Sequence, residues 1–205
     1  MEEILEKTKD YWNEENTKKY EDAMQLLTSK IKEFDASYYE ETGHHFIRFI
    51  EKRLKSPESI ANKLKRKGKK AEGLQIEELI SDLAGVRIIC FDTSQIYKVA
   101  RMIGECGEFE ILKVKDYIFR PKDNGYQSYH IILNIHSVKV ELQIRTILMD
   151  AWSSLDSILI YKKSTPISEQ LKKDIIRFSK WSRKMDKMVQ RMMSRKVDTN
   201  AKQKK

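Results

Sequence analysis

Cysteine occurs only twice in this chain, at Cys90 and Cys106, proline three times and histidine four times. One cysteine lies in an apolar run and the other in a loop-like stretch, so neither a disulfide framework nor a thiolate zinc set is available. A reducing compartment follows. His44 and His45 are adjacent but lead into Phe46, not a carboxylate, which excludes the His-Asp pair of a metal phosphohydrolase. Neither a Walker loop nor a GxGxxG is present. No apolar run approaches a membrane span, and the opening MEEILEKTKDYWNEEN is charged where a signal peptide would be apolar. A cytoplasmic protein with no membrane partner is expected. Repeats, low-complexity tracts and a Pro/Gly-rich linker are also missing, so the 205 residues read as one domain.

What is present is apolar mass under a charged surface. Hydrophobic residues make up 40% and charged residues 35%, enough of the former to exclude a disordered chain. The net charge of +9 suits polyanionic partners such as nucleotides or RNA, and equally a soluble basic protein with none.

The apolar period assigns the elements. YEDAMQLLTSKIKEF has helical spacing through Ala23, Leu26, Leu27, Ile31 and Phe34, and HHFIRFIEKRL reads as a second helix. SPESIANKLKRKG is a short helix with Ser56 at the N-cap, Pro57 at the first position and Gly68 as terminator. RKGKKAEG is a basic loop, and LQIEELISDLAG is helix-like. VRIICF suits a strand buried on both faces, followed by a crossover helix in DTSQIYKVARMIGECG. FEILKVKDYI, SYHIILNI and VKVELQIRT are further strands, the last two joined by a tight hairpin. ILMDAWSSLDSILIYKK returns to the helical period. A final helix over 166–194 carries Ile167, Leu171, Ile175, Phe178, Met185, Met188 and Met192 on one stripe, ahead of a basic, disordered tail over 196–205. The expected fold is α/β (α+β), a mixed sheet of four to five strands flanked by helices, with helical extensions at both ends.

Four stretches could carry chemistry. On VKVELQIRT, Glu141, Gln143 and Arg145 share one face, about 7 Å apart, a pattern that taken alone is more often a solvated strand face. Asp82, before the VRIICF strand, could share a divalent cation with Glu141 through the oxygen ligands that suit Mg2+; Arg87 opens that strand. Arg53, Lys55, Ser59 and Lys63 surround a helix start, where free amides and cations attract anions, although charge runs are usually solvated. KDYIFRPKDNGYQSYH sets Lys115, Arg120 and Lys122 beside Tyr126, Tyr129 and His130, cations and rings that suit a nucleotide's phosphates and base. The chemistry alone stops at a magnesium-nucleotide site of unspecified purpose.

In order and spacing, RLKSPESIANKLKRKG, DLAGVRIIC, DYIFRPKDNGYQSYH, VELQIRT and DAWSSLDSILIYK resemble the synthetase domain of the RelA/SpoT family, the alarmone synthetases or GTP pyrophosphokinases. The resemblance spans residues 53–162, within a synthetase domain over 1–195, and is similar to the small synthetases that lack a hydrolase domain. It implies a nucleotidyltransferase-like fold and Mg-dependent transfer of pyrophosphate from ATP to the 3'-hydroxyl of GDP or GTP, without hydrolysis. It assigns metal binding to Asp82 and Glu141, with Glu141 also accepting the hydroxyl proton. Arg53, Lys55, Ser59, Lys63 and Arg87 match the ATP-binding positions. Lys115, Lys122, Tyr126, His130, Gln143 and Asp150 fall in the GDP/GTP pocket, Tyr126 stacking on guanine and Asp150 reading its N1 and N2. A homo-oligomer, by resemblance a tetramer, is implied as well. Asp156-Ser157 departs from the family's Glu-His, and Lys115 stands where arginine is common. Three readings follow: a guanosine tetra- or pentaphosphate synthetase, the same chemistry on tRNA or an adenine nucleotide, or an impaired nucleotide- or RNA-binding module.

Overall fold

The computed structural model describes residues 2–160 and 166–203, with side chains to residue 195. The chain runs α1 (Glu2–Tyr11), α2 (Glu14–Thr42), β1 (Ile47–Leu54), α3 (Pro57–Arg66), α4 (Ile76–Leu79), β2 (Ala84–Cys90), α5 (Thr93–Glu105), β3 (Glu110–Asp116), β4 (Tyr129–Ile135), β5 (Val138–Thr146), α6 (Ile147–Leu159) and α7 (Glu169–Gln203). Five strands form one mixed sheet in the order β1-β2-β5-β4-β3, parallel only between β2 and β5. That one parallel pair needs a crossover, and its first part is α5. The mixed sheet, its flanking helices and its terminal helical extensions are those expected from the sequence.

Alternation divides β5. Val138, Val140, Leu142 and Ile144 enter a core shared with α2 and α5, alongside Leu27, Ile31, Ile96 and Val99. Glu141, Gln143 and Arg145 face the other way. The ladders extend that second face across the sheet: Arg53, Gly85, Glu141 and Ile132 form one row, and Glu51, Arg87, Gln143, His130 and Lys115 the next.

Local signals hold where the chemistry is local. Ser56 accepts from Ser59 N at 3.3 Å, Pro57 opens α3, and Gly68 lies beyond its end at φ +66°. Asp92 and Gln95 close a capping box on α5. The β4–β5 hairpin turns through His136 and Ser137, both at positive φ (48° and 66°).

Three expectations are corrected. HHFIRFIEKRL is not a helix: residues 47–54 form edge strand β1. An irregularity in the ladder between Ile47 and Phe49 puts Ile47, Ile50 and Leu54 on one face, opposite Cys90, Ile88 and Ala84. Their spacings of three and four therefore imitate a helix. LQIEELISDLAG keeps a single helical turn, α4, so Asp82 sits in the connection to β2 and not on a helix. The α7 stripe also divides. Ile175 is buried, but lower down the inward positions are Ser179, Ser182 and Asp186, while Met185, Met188 and Met192 face outward. The tail expected over 196–205 lies outside the described side chains, as does Tyr161-Lys162 at the end of the motif core. No helix among the described residues is long and apolar enough to cross a membrane.

Candidate active site

The polar face of the sheet floors a cleft. One part is lined by Glu51, Arg53, Lys55, Asp82, Gly85, Arg87, Glu141 and Gln143. It opens into a wider part reaching Ser59, Tyr126, Arg145, Asp150, Trp152, Asp156 and Ser157. Gly85 lies between Arg53 and Glu141 in the row across β1, β2 and β5, where the lack of a side chain leaves the floor open.

Asp82 is anchored by two cations. Lys55 Nζ donates to Oδ2 at 2.9 Å and Lys63 Nζ to Oδ1 at 2.7 Å. Burial pushes the Asp82 carboxyl up, but the hydrogen bonds and charges of Lys63 and Lys55 outweigh it and hold the group below the ordinary aspartate range. Ser56 and Pro57 start α3 at the end of β1, which places Lys55 and Lys63 on either side of the carboxylate.

Glu141 belongs to a closed ring of hydrogen bonds. Its Oε1 is 3.0 Å from His130 Nδ1, and His130 Nε2 is 2.8 Å from the Tyr126 hydroxyl. Arg145 NH2 donates to that hydroxyl at 2.8 Å and to Gln143 Oε1 at 3.1 Å, and Gln143 Nε2 donates to Glu141 Oε2 at 2.7 Å. With the proton on Nδ1, one direction of donation satisfies every member: Arg145 to Tyr126, Tyr126 to His130, His130 to Glu141. Burial raises Glu141, whereas the His130 ring and Gln143 hold it below the ordinary glutamate range against the nearby Asp82 charge. The carboxylate is thus ionised and ordered.

Arg145, whose role the sequence left open, closes this ring. It is 5% exposed and also donates to Asp150 at 3.2 Å. Its alternation with Glu141 and Gln143 was the available signal, but that pattern carried no indication of burial. Glu51, which accepts from Arg87 at 3.1 Å, was missed because its strand read as a helix.

The other expected residues divide by position. Arg53, Lys55, Ser59, Arg87, Gln143 and Asp150 line the cleft. Lys63 reaches it through Asp82, and Lys122 sits 4.9 Å from the Tyr126 ring centre. Lys115 pairs with His130 in the β3–β4 ladder, at the far end of the row. Lys139, two residues before Glu141 on β5, donates to Glu77 O at 3.2 Å. Asp156 and Ser157, the departure from the family pattern, line the wide part of the cleft.

Among the described residues no group of three or more His, Cys, Asp or Glu forms a metal cage. Asp82 and Glu141 are two carboxylates on one cleft, close enough for the Asp82 charge to act on Glu141. Mg2+ commonly takes one or two carboxylates and completes its shell with water and phosphate oxygens, so this donor set fits a cation delivered with a nucleotide.

The geometry has counterparts. The model for the "Region found in RelA / SpoT proteins" matches residues 52–166. GTP pyrophosphokinase YwaC of Bacillus subtilis (strain 168) is 41% identical over 160 residues, 74% of this chain and 76% of the relative. Small alarmone synthetase 2 from Bacillus subtilis superposes with a TM-score of 0.73 at 36% identity, covering 86% of this chain and 96% of that one. Small alarmone synthetase 1 from the same organism, bound to its product pppGpp, gives 0.74 at 31% identity over 86% and 93% of the two chains. That protein bound to AMPCPP gives 0.65 at 27% identity over 86% and 92%. With more than half its length matched by the family model, and that stretch folded around an ordered pair of acids, the chain belongs to the RelA/SpoT family.

Proposed function

We propose that this protein is a (p)ppGpp synthetase, transferring the β,γ-pyrophosphate of ATP to the ribose 3'-hydroxyl of GDP or GTP. The observation that carries the reading is Glu141, held ionised by His130 and Gln143 on the same cleft as the lysine-anchored Asp82. In the reaction the 3'-oxygen bonds to the β-phosphorus of ATP, the bond between that phosphorus and the α,β-bridging oxygen breaks, and AMP leaves with the oxygen. The hydroxyl proton goes to Glu141. Such a displacement needs mostly alignment and charge neutralisation. Arg53, Lys55, Lys63 and Arg87 supply cations on the donor side, and Ser59 stands in the first turn of α3. Mg2+, held by Asp82 and Glu141, would neutralise phosphate charge. On the acceptor side Lys122 and Lys115 meet phosphate, Tyr126 stacks on guanine, His130 and Gln143 border the ribose, and Asp150 reads the base while still paired to Arg145. Small alarmone synthetase 1 from Bacillus subtilis, bound to pppGpp in one structure and to AMPCPP in another, supports the choice of nucleotide ligands.

Incubation with Mg2+, ATP labelled in its terminal phosphate and one of GDP, GTP, GMP, ADP or tRNA tests the proposal. Label on guanine nucleotides is expected, and Glu141→Gln should lower the rate at least ~100-fold while the chain still unfolds in one cooperative transition. Unchanged transfer in that variant would remove Glu141 from the chemistry. Breakdown of the product on longer incubation would contradict synthesis without hydrolysis. A second reading, transfer to tRNA or an adenine nucleotide, rests on the +9 charge, and label on those acceptors alone would favour it. Self-association belongs to the same proposal: α7 exposes Trp181, Met185, Met188 and Met192, an apolar surface suited to a second copy. Light scattering should give a mass above that of the 24.3 kDa chain, by resemblance a tetramer.

A further inference from the structure

The turn that carries Lys122 and Tyr126 is shaped by its own bonds. Lys122 N donates to Tyr126 O at 3.1 Å, Gly125 N to Lys122 O at 2.8 Å, and Tyr126 N to Asn124 Oδ1 at 3.2 Å. These bonds define the turn internally but do not locate it against the sheet. The Tyr126 hydroxyl is located by His130 and Arg145. The backbone end is located by α7.

Ser179, 4% exposed, is the contact. Its Oγ donates to Gly125 O at 2.5 Å and accepts from Gln127 Nε2 at 3.0 Å, so one hydroxyl links residues on both sides of Tyr126. Gln127 is itself 3% exposed, out of competition with water. The approach is close: Gly125 has φ +93°, and a Cβ there would stand 2.8 Å from Ser179 Cβ and 3.6 Å from Trp152 Cζ2. Only glycine meets both demands. Trp152 joins the same contact, donating from Nε1 to Ile175 O at 2.8 Å and meeting the Tyr126 ring edge-on at 6.1 Å.

We propose that Ser179 is a positioning residue for the acceptor nucleotide: by pinning Gly125 and Gln127 it holds the Lys122–Tyr126 turn over the sheet, so that α7 sets the acceptor half of the cleft. The proposal rests on the assignment of Lys122 and Tyr126 to acceptor binding. Ser179 reaches no substrate itself. Its loss loosens the turn and leaves the donor side, built on β1, α3 and the residues before β2, in place.

The test compares wild type, Ser179→Ala and Gln127→Met in two-substrate kinetics and in hydrogen exchange of the amides over 122–127. Loss of one such bond should raise the KM for GDP about 3- to 10-fold, keep the KM for ATP within about twofold, and speed exchange across the turn. Ser179→Ala removes both bonds and Gln127→Met only one, so the effect should be larger in Ser179→Ala and the double variant should resemble it. An unmoved GDP KM overturns the proposal, whether or not exchange speeds up. A parallel rise in both KM values overturns it too, since that marks general loosening. Should Ser179→Ala fail to fold, Gln127→Met decides by the same criteria. If the wild type transfers nothing to guanine nucleotides, the function assignment fails separately, and unchanged exchange in the variants would show that Ser179 does not hold the turn either.

Discussion

Replacing Asp186 by asparagine should stabilise this protein above pH 6 and do nothing useful below pH 4. Asp186 points inward from α7 and is 2% exposed. Its Oδ2 accepts from Thr146 Oγ1 at 3.0 Å, and among the described residues its Oδ1 has no hydrogen-bond partner. Burial pushes the carboxyl up from 3.8 to about 6; the Thr146 bond opposes this and the Asp92 charge adds to it. The sign follows from linkage: a folded value above the unfolded one favours the fold while the group is neutral, and that contribution disappears as pH rises from about 4 through about 6. The gap between 3.8 and about 6, at ~1.4 kcal/mol per pH unit, makes the ionised group cost about 3 kcal/mol at neutral pH. Asparagine keeps the acceptor for Thr146 and removes the charge, but places an amide NH2 where Oδ1 lacks a partner, at about 1 kcal/mol. Asp186→Asn should therefore be about 2 kcal/mol more stable than wild type at pH 7.5 and no more stable at pH 4. Urea unfolding followed by tryptophan fluorescence across that range measures the difference. A difference independent of pH would refute the reasoning, because only titration of Asp186 makes it vary.

Other perturbations separate the parts of the site. Arg145→Met leaves Tyr126, Gln143 and Asp150 without their shared donor and should cost about 3 kcal/mol in urea, the partial exposure of Asp150 keeping it at the lower end for a broken buried pair; a loss below about 1 kcal/mol would mean the ring contributes little to stability. Trp12 Nε1 donates to Lys55 O at 2.9 Å, so Trp12→Phe should raise the KM for ATP about threefold with that for GDP unmoved in two-substrate kinetics. Asp82 and Glu141 are both held below their ordinary 3.8 and 4.5, so their contribution to stability is present above those values and lost as pH falls through the lower folded ones. Acid titration of Asp82→Asn should show a shallower fall in stability below about pH 4 than the wild type shows.

Much of the site was readable because its signals are short-range. The alternation of β5 put Glu141, Gln143 and Arg145 on one face, and Ser56, Pro57 and Gly68 bounded α3. What misled was periodicity produced by an irregular ladder: Ile47, Ile50 and Leu54 have helical spacing only because β1 bulges between Ile47 and Phe49. Arg145 was visible as a residue but not as a buried one, since its surroundings depend on Tyr126 arriving from the β3–β4 connection and on the turn into α6 that brings Asp150 back to it. The α7 stripe failed for a similar reason. A helix of mixed character can pack either face, and here Thr146 and the Gly125 turn offered polar partners to Ser179 and Asp186.

The sequence by itself therefore determined the order of the motifs, the two faces of β5 and the caps of α3, all governed by steric and hydrogen-bonding rules acting within a few residues. The tertiary structure alone decided that β1 is a strand, that Glu141, His130, Tyr126, Arg145 and Gln143 close into a ring, and that α7 turns its polar side inward. Each of those outcomes depends on which donor meets which acceptor across the sheet. Only the folded chain brings those groups within hydrogen-bonding distance.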